Sequence, residues 1–316
     1  MNASRDRRPT RVLHADWGIT GVKRQAAAAS RTSEGWRLEE VRPWSDAHRS
    51  EVVSGQGPLL VGFDFPIGLP RAFAHASAIS DFPSFLLRIE RDRGWSSFYE
   101  ICREPEEISL RRPFYPTNAP RGSRRRRADL EAALGLSYAE LLRECERRTP
   151  VRGEASALFW LIGAKQVGRG AISGWREVIA PAVEAGAQLW PFRGALSDLV
   201  GHGGVTIAET YPAEFYGHLG LPRSGWSKAT QDGRAEVGAI LLEWARQNGV
   251  AVASEVSRRV RDGFGAHPGG EDAFDAVVGA LGMIRVVDRS ADIEPLTEDV
   301  RRLEGWILGQ EPVGLV

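Results

Sequence analysis

Cysteine is scarce in this chain: Cys102 and Cys145 are the 2 among 316 residues. They lie far apart and form no Cys-x-x-Cys pair, which argues against a zinc site or a disulfide scaffold and suits a reducing cytoplasm. Net charge is lacking too. Lys plus Arg number 41 and Asp plus Glu number 41, so no global field draws in a polyanion, and any basic surface must be local. No long uncharged apolar run is present to span a membrane. The polar, basic stretch from Met1 to Arg11 carries neither a secretory nor a lipidation pattern. The expectation is a cytoplasmic protein without a membrane partner. What the chain does have is 42% hydrophobic residues, enough to bury the core of one large domain or two small ones.

Two apolar runs each end in aspartate: Val12-Leu13-His14-Ala15-Asp16 before Trp17-Gly18, and Leu59-Leu60-Val61-Gly62-Phe63-Asp64 before Phe65-Pro66. As neighbouring parallel strands they would deliver both carboxylates to one sheet edge, where open α/β folds place their chemistry. Arg11 to Asp16, Val22 to Ala29 and Gly35 to Val41 read as three strands of an antiparallel meander, with Gly18, Gly21 and Ser33-Glu34-Gly35 as turns. A short helix over Asp46 to Ser54 and a central strand over Pro58 to Asp64 follow. Gly204 to Glu209 reads as a further strand, Tyr211 to Leu219 as a helix start, and Arg234 to Gln247 as an amphipathic helix. In that last segment Val237, Ile240, Leu241 and Trp244 recur at helical spacing. A final helix begins near Gly270. Phe274, Val277, Val278 and Leu281 form its bulky stripe, and Asp272, Asp275, Gly279 and Gly282 share a smaller sector that permits close approach to a sheet.

Each acid also has a bland reading. Asp16 can satisfy backbone donors in a turn, Glu209 can pair with an arginine, and Asp272 can serve the helix dipole. Asp64, ending an apolar strand, is costly to bury unpaired, and Asp275 lies a full turn into an apolar helix. Together the acids imply more. Carboxylates converging to about 5 Å repel by about 3 kcal/mol per pair at an effective dielectric near 20, so a cation or protons must relieve them. Oxygen-only ligands select a hard cation, Mg²⁺ or Mn²⁺, and a pair of such ions can activate water and stabilise the leaving oxygen of a phosphodiester.

These features resemble a known family. Gly62-Phe63-Asp64-Phe65-Pro66-Ile67-Gly68-Leu69-Pro70, Glu209-Thr210-Tyr211-Pro212-Ala213 and Asp272-Ala273-Phe274-Asp275-Ala276 are similar to segments of the domain-of-unknown-function 429 family, regarded as predicted nucleases. The element order resembles the RuvC-like branch of the ribonuclease H-like fold. The resemblance implies an α/β fold, a ribonuclease H-like mixed sheet flanked by helices, with a large mainly helical insertion. It implies a metal-dependent nuclease acting on DNA or RNA by a two-metal mechanism. Asp16, Asp64, Glu209 and Asp275 would be the metal ligands, and Asp272 would join them as a catalytic acid. Many relatives carry histidine where this chain has Glu271, which leaves open which of Glu271, Asp272 and Asp275 ligate.

The expected core spans 11–70 and 205–289, interrupted by a helical insertion or cap over 71–204, with 290–316 as a C-terminal extension packing on the core. Within the insertion, Lys165 and Gln166 between glycines suit contact with a phosphate, or else a tight interhelical turn with a solvated lysine. The run Arg124-Arg125-Arg126-Arg127, preceded by Arg111, Arg112 and Arg121, is a local basic excess that suits a nucleic-acid backbone, or else a solvated loop. Two other functions compete. Asp16-Trp17-Gly18-Ile19-Thr20 resembles the phosphate turn of actin-like and sugar-kinase ATPases and phosphotransferases, although only one set of strands is legible here. The other is a non-catalytic nucleic-acid-binding module of the same fold.

Overall fold

The computed structural model describes residues 8–55, 57–116, 126–149, 152–162, 166–267, 269–289 and 297–311. These fall into two compact units, one of 8–64, 185–289 and 307–311, the other of 65–184 and 297–306. Along the chain, β1 (Arg11–Asp16), β2 (Gln25–Thr32), β3 (Gly35–Pro43), α1 (Asp46–Ser54) and β4 (Leu59–Phe63) open the first unit. The second unit carries α2 (Arg71–Ala76), α3 (Phe82–Arg88), α4 (Arg127–Leu134), α5 (Val167–Gly174) and α6 (Ala180–Glu184). The first unit then resumes with β5 (Gln188–Leu189), α7 (Leu196–Gly201), β6 (Val205–Glu209), α8 (Pro212–His218), α9 (Gln231–Gln247), β7 (Val250–Val252), α10 (Ser254–Arg261) and α11 (Gly269–Arg289). The core therefore takes in 185–204, a stretch that its lack of strand pattern assigns to the insertion. The expected C-terminal extension is shared, 297–306 going with the second unit and 307–311 with the first.

Among the described residues the sheet has seven strands in the order β5-β6-β4-β1-β2-β3-β7. β2 is antiparallel to both neighbours, and every other pairing is parallel. This is the α/β mixed sheet with flanking helices expected from the sequence. β2 starts at Gln25 rather than Val22, because Gly21–Lys23 coil into a 3-10 turn. Arg24 holds that loop: its guanidinium lies 3.9 Å over the Trp17 ring and its Nε donates to the Gly18 carbonyl at 3.1 Å. Ala26, Ala27, Ala28 and Ala29 are all fully buried, so packing outweighs the weak strand preference of alanine here.

Successive residues of a strand face opposite sides, and the two sides of this sheet differ. On one, α11 lies so close that a methyl group on Gly279 would stand 2.2 Å from the His14 ring, and one on Gly62 2.5 Å from Met283 Sδ. The small sector of the last helix thus meets the sheet as its periodicity suggests. His14 is fully buried there and shares a 2.8 Å hydrogen bond with Thr210 Oγ1; burial lowers its pKa to about 3, so the imidazole is neutral. On the other side, Trp17 and Trp44 pack edge-on against Phe63, and Trp44 stacks on His48 of α1.

The second unit is mainly helical around an aromatic core in which Phe98 contacts Phe73, Phe85, Trp95, Phe114 and Phe159. Its described residues hold isolated bridges, such as Tyr115 with Trp160, but no strand. Gly174 abuts the Phe65 ring, and Trp175 Nε1 donates to the Pro66 carbonyl at 2.7 Å. Among the described residues no helix is long and apolar enough to cross a membrane.

Candidate active site at the carboxyl edge of the sheet

β1 and β4 are parallel neighbours, with Ala15 opposite Phe63, so Asp16 and Asp64 emerge together at the carboxyl edge on the side that faces α11. The two carboxyls hydrogen-bond to each other, and Asp64 Oδ1 also accepts from the Trp17 backbone N–H at 2.7 Å. Burial raises the Asp16 carboxyl well above the usual range, and the charges of Asp64, Asp275 and Asp272 push the same way. Asp64 is also raised, chiefly by burial, although its bonds from Asp16 and Trp17 offset part of the rise.

The first turns of α11 bring the remaining acids. Asp272 is pushed up to about 6 by burial and by Glu271, with Lys23 opposing, and its Oδ2 is buried without a hydrogen-bond partner. Asp275 is buried and held on both oxygens: Tyr216 of α8 donates to Oδ1 at 2.7 Å and Lys228 Nζ to Oδ2 at 2.5 Å. Lys228 also reaches Glu271 Oε1 at 3.1 Å. Burial lowers the pKa of the ammonium, but Asp275 and Glu271 more than reverse this and leave it raised.

Of the acids singled out in the sequence, Asp16, Asp64, Asp272 and Asp275 therefore come together. Glu209 does not share their side of the sheet. It pairs in register with Phe63, which pairs with Ala15, and this row faces away from the Asp16–Asp64 row by the strand alternation. In register with Asp64 the next residue is Thr210, whose N–H donates to the Phe63 carbonyl at 2.8 Å. Glu209 is buried, and its own carbonyl accepts from Leu308 N at 2.8 Å.

Tyr216 and Lys228 carry no signal in the sequence. Tyr216 reads there as one more aromatic of a short helix, and Lys228 sits in a Pro/Gly/Ser loop with no periodicity around it.

The donor set of this edge is all oxygen, which suits a hard cation, and the orphaned Asp272 Oδ2 is an acceptor in want of a partner. Among the described residues, no three His, Cys, Asp or Glu side chains already surround a common point as ligands of one ion do.

The basic candidates belong to the second unit. Lys165, Arg124 and Arg125 lie outside the described residues. Arg126 and Arg127 are exposed at the start of α4, where Arg126 N donates to Asp129 Oδ2 at 2.9 Å and the Arg127 guanidinium lies 3.9 Å over the Tyr138 ring. Arg111 stacks on Trp95 at 3.7 Å, and Arg112 pairs with Glu100 and Glu107. No protein family's sequence pattern, no curated protein and no solved structure matches this chain.

Proposed function

We propose that this protein is a metal-dependent nuclease of ribonuclease H-like fold, hydrolysing phosphodiester bonds in DNA or RNA. The observation that carries the reading is the placing of Asp16 and Asp64 side by side at the carboxyl edge of two parallel strands, with Asp272 and Asp275 of α11 close enough to raise the Asp16 pKa. The element order supports it: an antiparallel meander, a helix, a central parallel strand, a further parallel strand and a closing helix.

Asp16, Asp64 and Asp272 would hold the ion, with Asp275 beside them. When bound, a Mg²⁺ or Mn²⁺ ion supplies Lewis-acid polarisation of the phosphate and a more acidic water. The chain's own residues do the rest. Asp16 and Asp64 would hold the ion as carboxylates, and the Trp17 N–H keeps Asp64 in place. Asp275 is oriented by the Tyr216 hydroxyl. Glu209 is left out of this set because of its register.

The test is incubation of the purified chain with single- and double-stranded DNA, RNA and hybrids, in Mg²⁺ or Mn²⁺, beside Asp16→Asn. Cleavage of at least one substrate, lost on chelation and in Asp16→Asn, is the expected result. ATP consumption without cleavage would favour the phosphotransferase reading, and metal-independent binding without either would favour the non-catalytic module.

A further inference from the structure

At the end of α11 away from the acids, positive charge gathers without a counter-ion in contact with it. Arg285 and Arg289 stand one turn apart on the same face of the helix, about 5–6 Å between Cβ atoms, a spacing at which like charges repel. Among the described residues neither side chain makes an ion pair or a hydrogen bond, and Arg285 Nε is enclosed without an acceptor. We propose that Arg285 and Arg289, with His218 of α8 beside them, form a binding site for a free or terminal phosphate group. The site lies about 15 Å along the helix from Asp275, at about 1.5 Å per residue, and it stands whatever the acids at the other end do.

The packing of α8 on α11 brings the three groups together. A methyl group on Gly282 would stand 2.2 Å from the Phe215 ring, and one on Gly309 would stand 2.9 Å from the same ring and from Val286. Phe215 is thus the point where α8, α11 and the chain near Gly309 close on one another. His218 follows Phe215 by three residues and Arg285 follows Gly282 by three, so each lies one helical step beyond that point on the same face as the packed residue. Their mutual influence agrees with this placing. Burial lowers the His218 pKa to about 4, with the charges of Arg285 and Arg289 adding to it and Glu311 opposing. Burial and Arg289 likewise lower that of Arg285. The imidazole is therefore neutral, and its Nδ1 is buried without a partner.

The acids near these arginines leave the place open. Asp288 is turned to β3, where its Oδ1 accepts from Trp36 Nε1 at 3.2 Å and from Arg8 Nη1 at 3.5 Å. Glu311 is exposed and acts on His218 and Arg285 by its charge alone, without an ion pair. An anion bound between the guanidiniums would remove their repulsion and answer donors that the fold leaves unused. Guanidinium forks match phosphate oxygens in bidentate pairs. A terminal phosphate, with about two charges and three acceptor oxygens, can serve both arginines and an imidazole N–H at once. A carboxylate has a single charge and one oxygen fewer.

Isothermal titration calorimetry of inorganic phosphate into the metal-free full chain, at constant ionic strength, tests this. Saturable binding is expected, weakened at least about 10-fold in Arg285→Gln and in Arg289→Gln, because each loses charge-assisted hydrogen bonds. Glu311→Gln removes a competing anion and should tighten it. Arg246→Gln, whose guanidinium is engaged by Glu243, is the control and should bind as the wild type does. If a glutamine variant fails to fold by circular dichroism, Arg285→Lys keeps the charge and loses the fork, and should still bind more weakly. An oligonucleotide with a 5′-phosphate, compared with its 5′-hydroxyl form, identifies the source. A preference for the phosphorylated form that Arg289→Gln abolishes would assign the site to a nucleic-acid end, and equal binding of the two forms would assign it to a small phosphate compound. No binding of inorganic phosphate to the folded wild type, or unchanged affinity in the arginine variants, would overturn the site and leave the nuclease reading untouched.

Discussion

Burial and three neighbouring acids all raise the pKa of Asp16 well above the usual carboxylate range. Asparagine at Asp16 or Asp64 keeps the shape and removes the charge. If the protein is the proposed nuclease, cleavage should fall at least about 100-fold in either variant, since transition-state stabilisation by a metal centre amounts to several kcal/mol, while circular dichroism stays unchanged. Full activity in both variants would place the chemistry elsewhere.

The same residue makes a stability prediction for the metal-free chain. Asp16, Asp64 and Asp272 have folded pKa values above their unfolded ones, so the folded state binds more protons, and their contribution is lost as pH rises from about 4 through the region of about 6 where Asp272 titrates. His14, lowered to about 3, acts in the opposite sense, since the unfolded chain takes up its proton as pH falls below about 6.5. The wild-type curve mixes both. Asp16→Asn removes one acid, so its unfolding free energy relative to wild type should rise as pH climbs above about 4, and level off when Mg²⁺ is added. A difference independent of pH would show that Asp16 is not held protonated by its neighbours.

At the scale of elements, α11 is where helix and sheet approach too closely for side chains. Gly279→Ala would drive a methyl group to 2.2 Å from the His14 ring, in a face already filled by Met283 and Thr210. The expected cost is about 1–3 kcal/mol or more, read as a lower urea midpoint. Gly217→Ala in α8 is the control, because nothing lies within 4 Å of the added methyl. There the helix preference of alanine should leave stability unchanged or raised by about 0.4–1 kcal/mol. Equal destabilisation by the two would mean that α11 can shift away from β1. The alternation of small and bulky sectors in α11 is readable from its period, as are β1, β4 and β6 from their apolar runs. β5 and β7 are not. At two and three residues they carry too little pattern to read, and they exist as strands only because β6 and β3 offer them unpaired edges.

At the scale of the whole molecule, neutrality leaves the binding of a polyanion to local charge. Within the second unit, part of the arginine run is already engaged, Arg127 with Tyr138 and Arg126 through its backbone. Replacing Arg124 to Arg127 with serine should weaken binding of nucleic acid across sequences and flatten its salt dependence, by up to about 0.9 in log–log slope for each duplex phosphate no longer neutralised. Mn²⁺ binding should persist. An unchanged affinity and slope, followed by fluorescence anisotropy at several salt concentrations, would assign the run to solvent.

Sequence alone determined the local part of this design: which apolar runs end in a carboxylate, where turns punctuate the meander, and which sector of the last helix is small. Each depends on residues adjacent in the chain or one helical turn apart, so composition and period reveal it. Tertiary structure decided the rest. A one-residue difference in register separates Glu209 from Asp64, and with a period of two that difference turns the side chain to the other side of the sheet. Lys228 and Tyr216 reach Asp275 across 47 and 59 residues of chain, and a pairing at such separation is set by where the loops and helices pack, not by any pattern within them.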